Sequence, residues 1–257
     1  MLGGGVHNFY KIKVNNNKRI RDLGKIIRLN QLKNKRIAID ANNVLYEILS
    51  AANKVNKPEL FDLILRNKIN KYNKLGIDQV WVFDHPKSNP LRLDKKIDIC
   101  DENIIKKVQL NKANILRAQE IIDEFNFKVT KVIAKYKLEA EQVCAILTRK
   151  PIKVDNKQID IVDYVITCDS DALVFGSKNI LVRTNKINVY KMYVLKDILH
   201  ISGLNRKQLA IISVILGTDF NKGIKGIGPS KVINIVKEND YKLNNRQKKI
   251  IKYYLSN

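Results

Sequence analysis

Three short apolar segments of the chain end in an aspartate, and this recurrence restricts the fold more than any other feature of the sequence. The segments RIAID and VWVFD end at Asp40 and Asp84, and the apolar run at 164–168 is followed by Asp169. Runs of this kind are typical of strands buried on both faces, which usually belong to a parallel sheet. Ligands of open parallel sheets bind at the carboxyl ends of the strands, so the three carboxylates are expected where such a fold binds its ligand.

The segment between the first two strands has the features of a helix. Residues 58–76 form an apolar-periodic stretch closed by Gly76, and they separate the strand ending at Asp40 from the strand at 77–86. This arrangement predicts a βαβ unit. We therefore expect an α/β fold with a mostly parallel twisted sheet and helices on both faces.

The pattern along the chain divides it into two parts of unequal length. We expect a core of residues 1–195, from which a short, charged and mostly helical excursion extends at about 87–115. The middle of this excursion is poorly apolar, which is typical of an exposed segment. A helical portion follows at 196–257, and the two parts are expected to form one compact structural unit.

Four further acids lie beside the predicted strand ends. They open or end helices at the same sheet edge and are Glu139, Glu141, Asp171 and Asp219. Seven carboxylates in one small volume would repel one another unless cations lay between them. Oxygen ligands without histidine or cysteine favour Mg²⁺ or Mn²⁺. Each acid alone fits a surface charge or a helix cap better than a metal ligand, and Asp169 or Ser170 would cap the next helix. Only the joint pattern favours a metal site.

The net charge of the chain points to a polyanionic partner. Its 48 basic and 25 acidic residues give a formal charge of +23, which suits nucleic acid or an anionic membrane surface. A general lysine bias from an AT-rich genome would give the same number. No apolar run reaches the roughly 20 residues of a membrane span, and no amphipathic stretch stands apart from the core, so no membrane partner is expected. A basic surface around an acidic pocket suits two-metal hydrolysis of a phosphodiester.

A glycine-rich turn near the C-terminus is a second candidate binding feature. Its residues are Lys225, Gly226, Ile227, Gly228 and Lys231. Pro229 follows the turn and is predicted to start the next helix at its first position. Backbone N–H groups exposed beside such glycines bind phosphate and would contact a DNA backbone without reading its sequence. The alternative is an ordinary turn between two helices.

Six motifs distributed over nearly the whole chain resemble the flap endonuclease / XPG-like family of structure-specific 5′ nucleases. In chain order they are GVHNFYKI, IAIDANNVLYE, VFDHP, KLEAEQVCAIL, TCDSDALVFG and LGTDFNKGIKGIGPSKVINIV. The resemblance implies a nuclease core with a helical arch and a C-terminal helix-two-turn-helix portion that binds DNA. All seven acids of the family pattern are present, which implies an active enzyme.

The resemblance also implies roles for particular residues. Two Mg²⁺ ions, for which Mn²⁺ can substitute, are expected among the acids: Asp40, Asp84, Glu139 and Glu141 in one region, and Asp169, Asp171 and Asp219 in the other. Tyr46 is expected to stack on a substrate base, and the turn at 225–231 to hold duplex DNA, with K⁺ bound there as in some members of the family. The family's two basic arch residues are missing at the matching spacing. Arg92, Lys95 and Lys96 lie on one predicted helix face and are expected to replace them. A basic helix face that is simply exposed to solvent, with no role in the site, would show the same pattern equally well.

The substrate and the partners are left open by the sequence. The substrate is expected to be a 5′ flap or other branched or nicked DNA, cut as an endonuclease or 5′→3′ exonuclease in replication, repair or recombination. The alternatives are a Holliday-junction, bubble or RNA nuclease, or a non-catalytic scaffold. Residues 247–254 fit a sliding-clamp motif, but the helical spacing of Ile250, Tyr253 and Tyr254 favours a packed helix. Three cysteines without a CxxC pair suit an intracellular location, in the nucleus or at a site of viral DNA replication.

Overall fold

A central, mostly parallel sheet organises the computed structural model, which describes residues 5–15, 18–87, 89–92, 112–125 and 128–256. The strands within these ranges are β1 (Lys25–Arg28), β2 (Arg36–Asp40), β3 (Asp78–Phe83), β4 (Val129–Ile133), β5 (Ile152–Val154), β6 (Lys157–Ile159), β7 (Tyr164–Ile166), β8 (Asn179–Arg183) and β9 (Val189–Val194). Seven of them form one sheet in the order β1-β9-β8-β7-β2-β3-β4. The pairs from β8 to β4 are parallel, and β9 and β1 add antiparallel pairs at one side.

Helices cover both faces of the sheet, as predicted. They are α1 (Ala41–Lys54), α2 (Leu60–Lys74), α3 (Lys112–Asp123), α4 (Ala140–Leu147), α5 (Asp171–Val174), α6 (Leu195–Ser202), α7 (Arg206–Leu216), α8 (Val232–Lys237) and α9 (Asn245–Leu255). Successive strand residues point to opposite faces. Ile37 and Ile39 therefore pack with α1 to α3 in one core, and Ala38 packs with α4, α5, α7, α8 and α9 in the other. Burial on both faces explains the continuous apolar runs.

The second core joins the C-terminal helices to the sheet. Tyr254 of α9 and Phe220 after α7 are buried with Phe175 and Val143 in one cluster. The apolar core is thus continuous across residue 195, where the predicted division lies, and the assignment of separate functions to the two parts stays a prediction. Among the described residues, no helix is long and apolar enough to cross a bilayer.

Two parts of the architecture were not predicted. The strand β1 at the sheet edge is one, and the separate two-stranded sheet of β5 and β6 is the other. Asp155 and Asn156 join β5 to β6 with φ angles of 46° and 62°. Two consecutive left-handed residues form the hairpin turn whose twist suits the flanking strands, so this Asp-Asn pair was a signal present in the sequence.

Candidate metal centre

The parallel strands bring three predicted acids to one edge of the sheet. Asp40 is the last residue of β2, Asp84 follows β3 directly, and Asp169 lies three residues beyond β7. Because β2 pairs in parallel with both β3 and β7, these residues lie at the same edge. The Thr167 hydroxyl donates to Asp40 Oδ2 over 2.9 Å, and the Asn42 amide donates to Asp84 Oδ2 over 2.7 Å.

The start of α4 completes a three-carboxylate cluster. Glu139 is the N-cap residue of α4 and Glu141 lies in its first turn, both with less than a tenth of their surface exposed. The backbone N–H of Ala140 donates to Asp84 Oδ1 over 2.8 Å, which fixes the helix start against the strand end. Carboxylate oxygens of Asp84, Glu139 and Glu141 lie within 4.8 Å of one another. A divalent cation bound by oxygen ligands fits this donor set.

The remaining acids adjoin this cluster. The backbone N–H of Asp171 donates to Asp169 Oδ1 over 2.8 Å, and the charge of Asp219, which follows α7, raises the pKa of both residues. The charges of Asp40, Asp84 and Asp169 in turn raise the pKa of Glu141. Asp171 Oδ1 is buried and accepts no hydrogen bond from any residue that the structure describes. All seven acids therefore surround one volume.

Burial makes this concentration of charge costly without a cation. Burial raises the pKa of Asp40 to about 8, and the neighbouring Asp84 carboxylate adds to the shift. Burial likewise raises the pKa of Asp169 to about 7, although the N–H of Asp171 opposes the shift. The pKa of Glu141 and that of Asp171 rise well above the usual range, again mainly through burial. Acids of this kind are ionised only beside compensating positive charge.

We expect these shifts to appear as a pH dependence of stability in EDTA. The folded chain holds protons on Asp40 and Asp169 up to about pH 8 and pH 7, whereas the unfolded chain releases them near pH 4. The folded state binds more protons in this window, so stability is greatest at its acid end and falls as pH rises. The melting temperature should drop by several degrees between pH 5 and pH 8, since about 1 kcal/mol corresponds to about 2–4 °C at this size.

The control for this titration is Asp40→Asn in the same buffers. The variant removes one of the proton-binding groups and should have a shallower slope, which separates the site from the background of surface groups. A melting temperature that stays level or rises with pH in the parent chain would contradict the buried, protonated acids.

Arg92 contacts the site in a way that the sequence did not predict. Its guanidinium forms a two-point contact with Glu139, with Nη2 2.5 Å from Oε2 and Nε 3.3 Å from Oε1. This side chain is 38% exposed, whereas Glu139 is 6% exposed. The Arg92 charge partly offsets the rise that burial causes in the Glu139 pKa. Arg92 thus compensates a site acid here, while Lys95 and Lys96 lie outside the described residues.

The predicted DNA-contacting residues lie on the surface. Tyr46 projects from α1 and is 43% exposed, and Lys225 and Lys231 are exposed beside the turn, together with Gly226. Gly226 has a φ of 88°, and the space beside it is open. The helix after the turn begins at Val232 and not at Pro229, because Pro229 to Lys231 form a separate turn before it. Ile227 and Gly228 are half-buried.

The structure contradicts the sliding-clamp interpretation of residues 247–254. Such a motif needs its side chains free for the partner, yet Ile250 and Tyr254 are fully buried and Gln247 is 7% exposed. The Gln247 side chain instead accepts from the backbone N–H of Asn244, and the Asn244 side chain accepts from Gln247 N–H. This reciprocal capping box starts α9. The spacing that suggested a clamp motif is the spacing of a packed helix.

Three further contacts at or beside the acids come from residues near the two ends of the described chain. The backbone N–H of Val6 donates to the Ser170 hydroxyl over 3.2 Å, and the backbone of Gly5 lies against Asp169. The Tyr254 hydroxyl donates to Asp171 Oδ2 over 3.0 Å. No local pattern in the sequence indicates these contacts, since each joins residues far apart in the chain.

Known proteins resemble the chain in both sequence and structure. The family model "XPG I-region" matches residues 128–219, from the start of β4 to Asp219. The chain is 32% identical over 223 residues to Flap endonuclease GEN-like 1 of Arabidopsis thaliana, which covers 80% of the chain and 35% of the relative. It is 26% identical over 266 residues to Flap endonuclease 1 of Sulfolobus acidocaldarius, which covers 85% of the chain and 72% of the relative.

A solved structure of the catalytic core of Rad2 in complex with DNA substrate has a TM-score of 0.67 and 26% identity to the chain. The match covers 98% of this chain and 79% of that one. The chain thus spans about a third of the plant relative and most of the archaeal one. The same acids that the sequence motifs share are the ones that the fold gathers at a single sheet edge, and the chain is similar over most of its length to proteins of the flap endonuclease / XPG-like family.

Proposed function

We propose that the protein is a divalent-metal-dependent, structure-specific nuclease that hydrolyses phosphodiester bonds at 5′ flaps or related branched ends of DNA. The observation that carries the proposal is the convergence of seven carboxylates, five of them buried, at one sheet edge of a chain with a net charge of +23. Carboxylates of this density hold divalent cations, and the basic surface attracts the phosphate backbone.

The acids divide into two groups that would hold two Mg²⁺ ions, or Mn²⁺ in their place. Asp84, Glu139 and Glu141 form one group, and Asp169, Asp171 and Asp219 form the other. The Asp40 carboxylate interacts with both Asp84 and Asp169 and lies between the groups. Bound in this way, the ions would supply an activated water and charge stabilisation for the leaving oxygen.

Arg92 is suited to serve the scissile phosphate. Its guanidinium now pairs with Glu139, and a cation bound at Glu139 would compete for the same oxygens. We infer that Arg92 then turns to a phosphate oxygen, for which its planar two-donor geometry is well matched. The side chain is partly exposed, so this change needs no rearrangement of the buried core. Lys95 and Lys96 are proposed to act beside it.

The turn at 225–231 is proposed to hold the duplex part of the substrate. Gly226 and its neighbouring lysines are exposed, and nothing in the described fold fills the space beside Gly226. The backbone N–H of Lys13 donates to Pro229 O over 3.0 Å, so the N-terminal segment that touches Ser170 also braces this turn. The N-terminal segment thus connects the turn to the residues beside the acids. K⁺ is proposed as the ion bound at the turn with the DNA phosphate.

Tyr46→Ala should lower the single-turnover cleavage rate several-fold. We propose that the exposed Tyr46 ring stacks on a base next to the cut, a contact typically worth about 1–3 kcal/mol. The melting temperature should change by less than about 2 °C, because a half-exposed ring contributes little to the core. Tyr46→Phe keeps the ring and is the matched control, which should cleave at the parent rate. Equal rates for Tyr46→Ala and Tyr46→Phe would exclude stacking.

The proposed function is tested by cleavage of end-labelled DNA in Mg²⁺. The substrates are a 5′ flap, a blunt duplex, a single strand and a four-way junction, each also incubated with EDTA and with Asp171→Ala. We expect one metal-dependent incision near the flap base. Stepwise shortening from blunt ends would indicate an exonuclease, and symmetric cuts in the junction would indicate a resolvase. RNA versions of the same substrates are tested if no DNA is cut. If none of these substrates is cleaved in a metal-dependent way, the remaining interpretation is a nucleic-acid-binding scaffold without catalytic activity.

A further inference from the structure

The last helix of the described chain, α9, contacts one of the acids through a buried tyrosine. Tyr254 of α9 is fully buried, and its hydroxyl donates to Asp171 Oδ2 over 3.0 Å. Asp171 is 5% exposed, and its other oxygen, Oδ1, is buried and accepts no hydrogen bond within the described residues. The hydroxyl thus occupies one carboxylate oxygen and leaves the second for another partner. A buried acceptor without a donor suits a cation.

The neighbouring tyrosine, Tyr253, contacts the chain segments that carry two other residues of the site. Tyr253 lies about 100° around the helix from Tyr254. Its hydroxyl accepts from the Asn89 side-chain amide over 2.8 Å and donates to Lys137 O over 3.2 Å. Lys137 lies two residues before Glu139, and Asn89 lies three residues before Arg92. One helix therefore contacts Asp171 directly and, through Tyr253, the segments that carry Glu139 and Arg92.

Both tyrosine rings are held by aromatic packing. The Phe175 ring lies 4.8 Å from the Tyr254 ring and 5.4 Å from the Tyr253 ring, measured between centroids. The Phe220 ring lies 5.4 Å from the Tyr253 ring and 5.9 Å from the Tyr254 ring. Contacts on two sides leave each ring little freedom to rotate or translate. The positions of both hydroxyl groups are therefore set by the packing of the rings in the core.

We propose that Tyr254 is a positioning residue of the metal centre, which locks Asp171 so that Oδ1 alone is presented to the cation, and that Tyr253 fixes the opposite side through Asn89 and Lys137. The inference rests on the proposed metal-dependent function and names a residue that this function requires outside the seven acids. A hydrogen-bond partner behind a ligand orients it, and its loss typically costs about 10–100-fold in metal affinity.

The test is Mn²⁺ binding measured by the electron paramagnetic resonance of free Mn²⁺, in the absence of DNA. Tyr254→Phe keeps the packed ring and removes only the hydroxyl, so we expect a folded protein that binds Mn²⁺ about 10–100-fold more weakly. Tyr72→Phe is the matched control. Tyr72 is equally buried, and its hydroxyl is 2.9 Å from that of Tyr190 in the core on the other face of the sheet. It should lose a similar amount of stability while binding Mn²⁺ as the parent does.

The outcomes separate this inference from the function on which it rests. Parental Mn²⁺ affinity in Tyr254→Phe would overturn the positioning role, even while Asp171→Ala loses binding and so supports the metal site. A parent chain that binds no Mn²⁺ would overturn both. In cleavage assays, the expected change in Tyr254→Phe is a higher Mg²⁺ concentration at half-maximal rate, with much of the rate recovered at saturation. A purely structural role would lower the melting temperature and leave the Mg²⁺ dependence unchanged.

Discussion

Asp171→Ala should reduce flap cleavage at least about 1,000-fold, which corresponds to about 4 kcal/mol of lost transition-state stabilisation. Asp171 has a buried oxygen that accepts no hydrogen bond from the described residues, so its removal would take away a proposed metal ligand. DNA affinity should stay within about two-fold of the parent value in Ca²⁺, because the basic surface and not the pocket supplies most of the binding energy. Single-turnover rates and fluorescence anisotropy measure the two effects.

Asp171→Asn is the matched control for the folding consequences of this change. The amide oxygen can still accept from the Tyr254 hydroxyl, so no buried donor is left without a partner. The Asn variant should fold about as stably as the parent in EDTA, because it keeps the size of the side chain and its hydrogen bond with Tyr254. A variant that binds DNA poorly, or a cleavage loss below ten-fold, would indicate that Asp171 supports the fold and not the chemistry.

Gly5→Ala should lower the cleavage rate at least about 100-fold. A Cβ added at Gly5 would lie 1.9 Å from Asp169 Oδ1, and Gly5 has a φ of 88° that side chains rarely adopt. Either Asp169 or the N-terminal segment must move, and a displacement of about 1 Å in a reacting group can cost about 100-fold in rate. The measurement is the single-turnover rate at saturating Mg²⁺, together with the melting temperature.

Gly203→Ala is the control that distinguishes the effect of backbone strain from the effect of displacing Asp169. Gly203 also has a positive φ, 63°, but the atom nearest its added Cβ is the flexible tip of Lys237 at 3.1 Å. Gly203→Ala should be mildly destabilised, by about 1 kcal/mol, and should cleave at the parent rate. Equal activity losses in the two variants would mean that strain alone, and not the contact with Asp169, affects catalysis.

The sequence predicted those parts of the site that local patterns encode. Asp40, Asp84 and Asp169 each follow a run of apolar residues, and the parallel sheet necessarily brings such positions to one edge. The Glu139 and Glu141 pair was found because a helix start at that edge has its own signature. The fold class followed from the same alternation of strands and helices.

The contacts that complete the site could not be predicted from the sequence. Tyr254 meets Asp171 across 83 residues of chain, and Val6 meets Ser170 across 164. Nothing in the residues around Tyr254 distinguishes a hydroxyl directed at a carboxylate from an aromatic pair in any packed helix, and the clamp-like spacing suggested a different role. The contact between Arg92 and Glu139 likewise depends on the backbone path after Asn89. The Asn89 side chain sets this path through its hydrogen bonds to Lys137 O and to the backbone N–H of Leu91.

The contacts of Val6 and Tyr254 also determine when a growing polypeptide can become active. Domains fold as they leave the ribosome, with the N-terminal part first, and the acids from Asp40 to Asp171 are all synthesised well before α9. Asp171 gains its tyrosine partner only after residue 254 has emerged. A nascent chain could therefore build most of the sheet while its acids still lack their final orientation. The acids would reach their final orientation only after residue 254 has been synthesised.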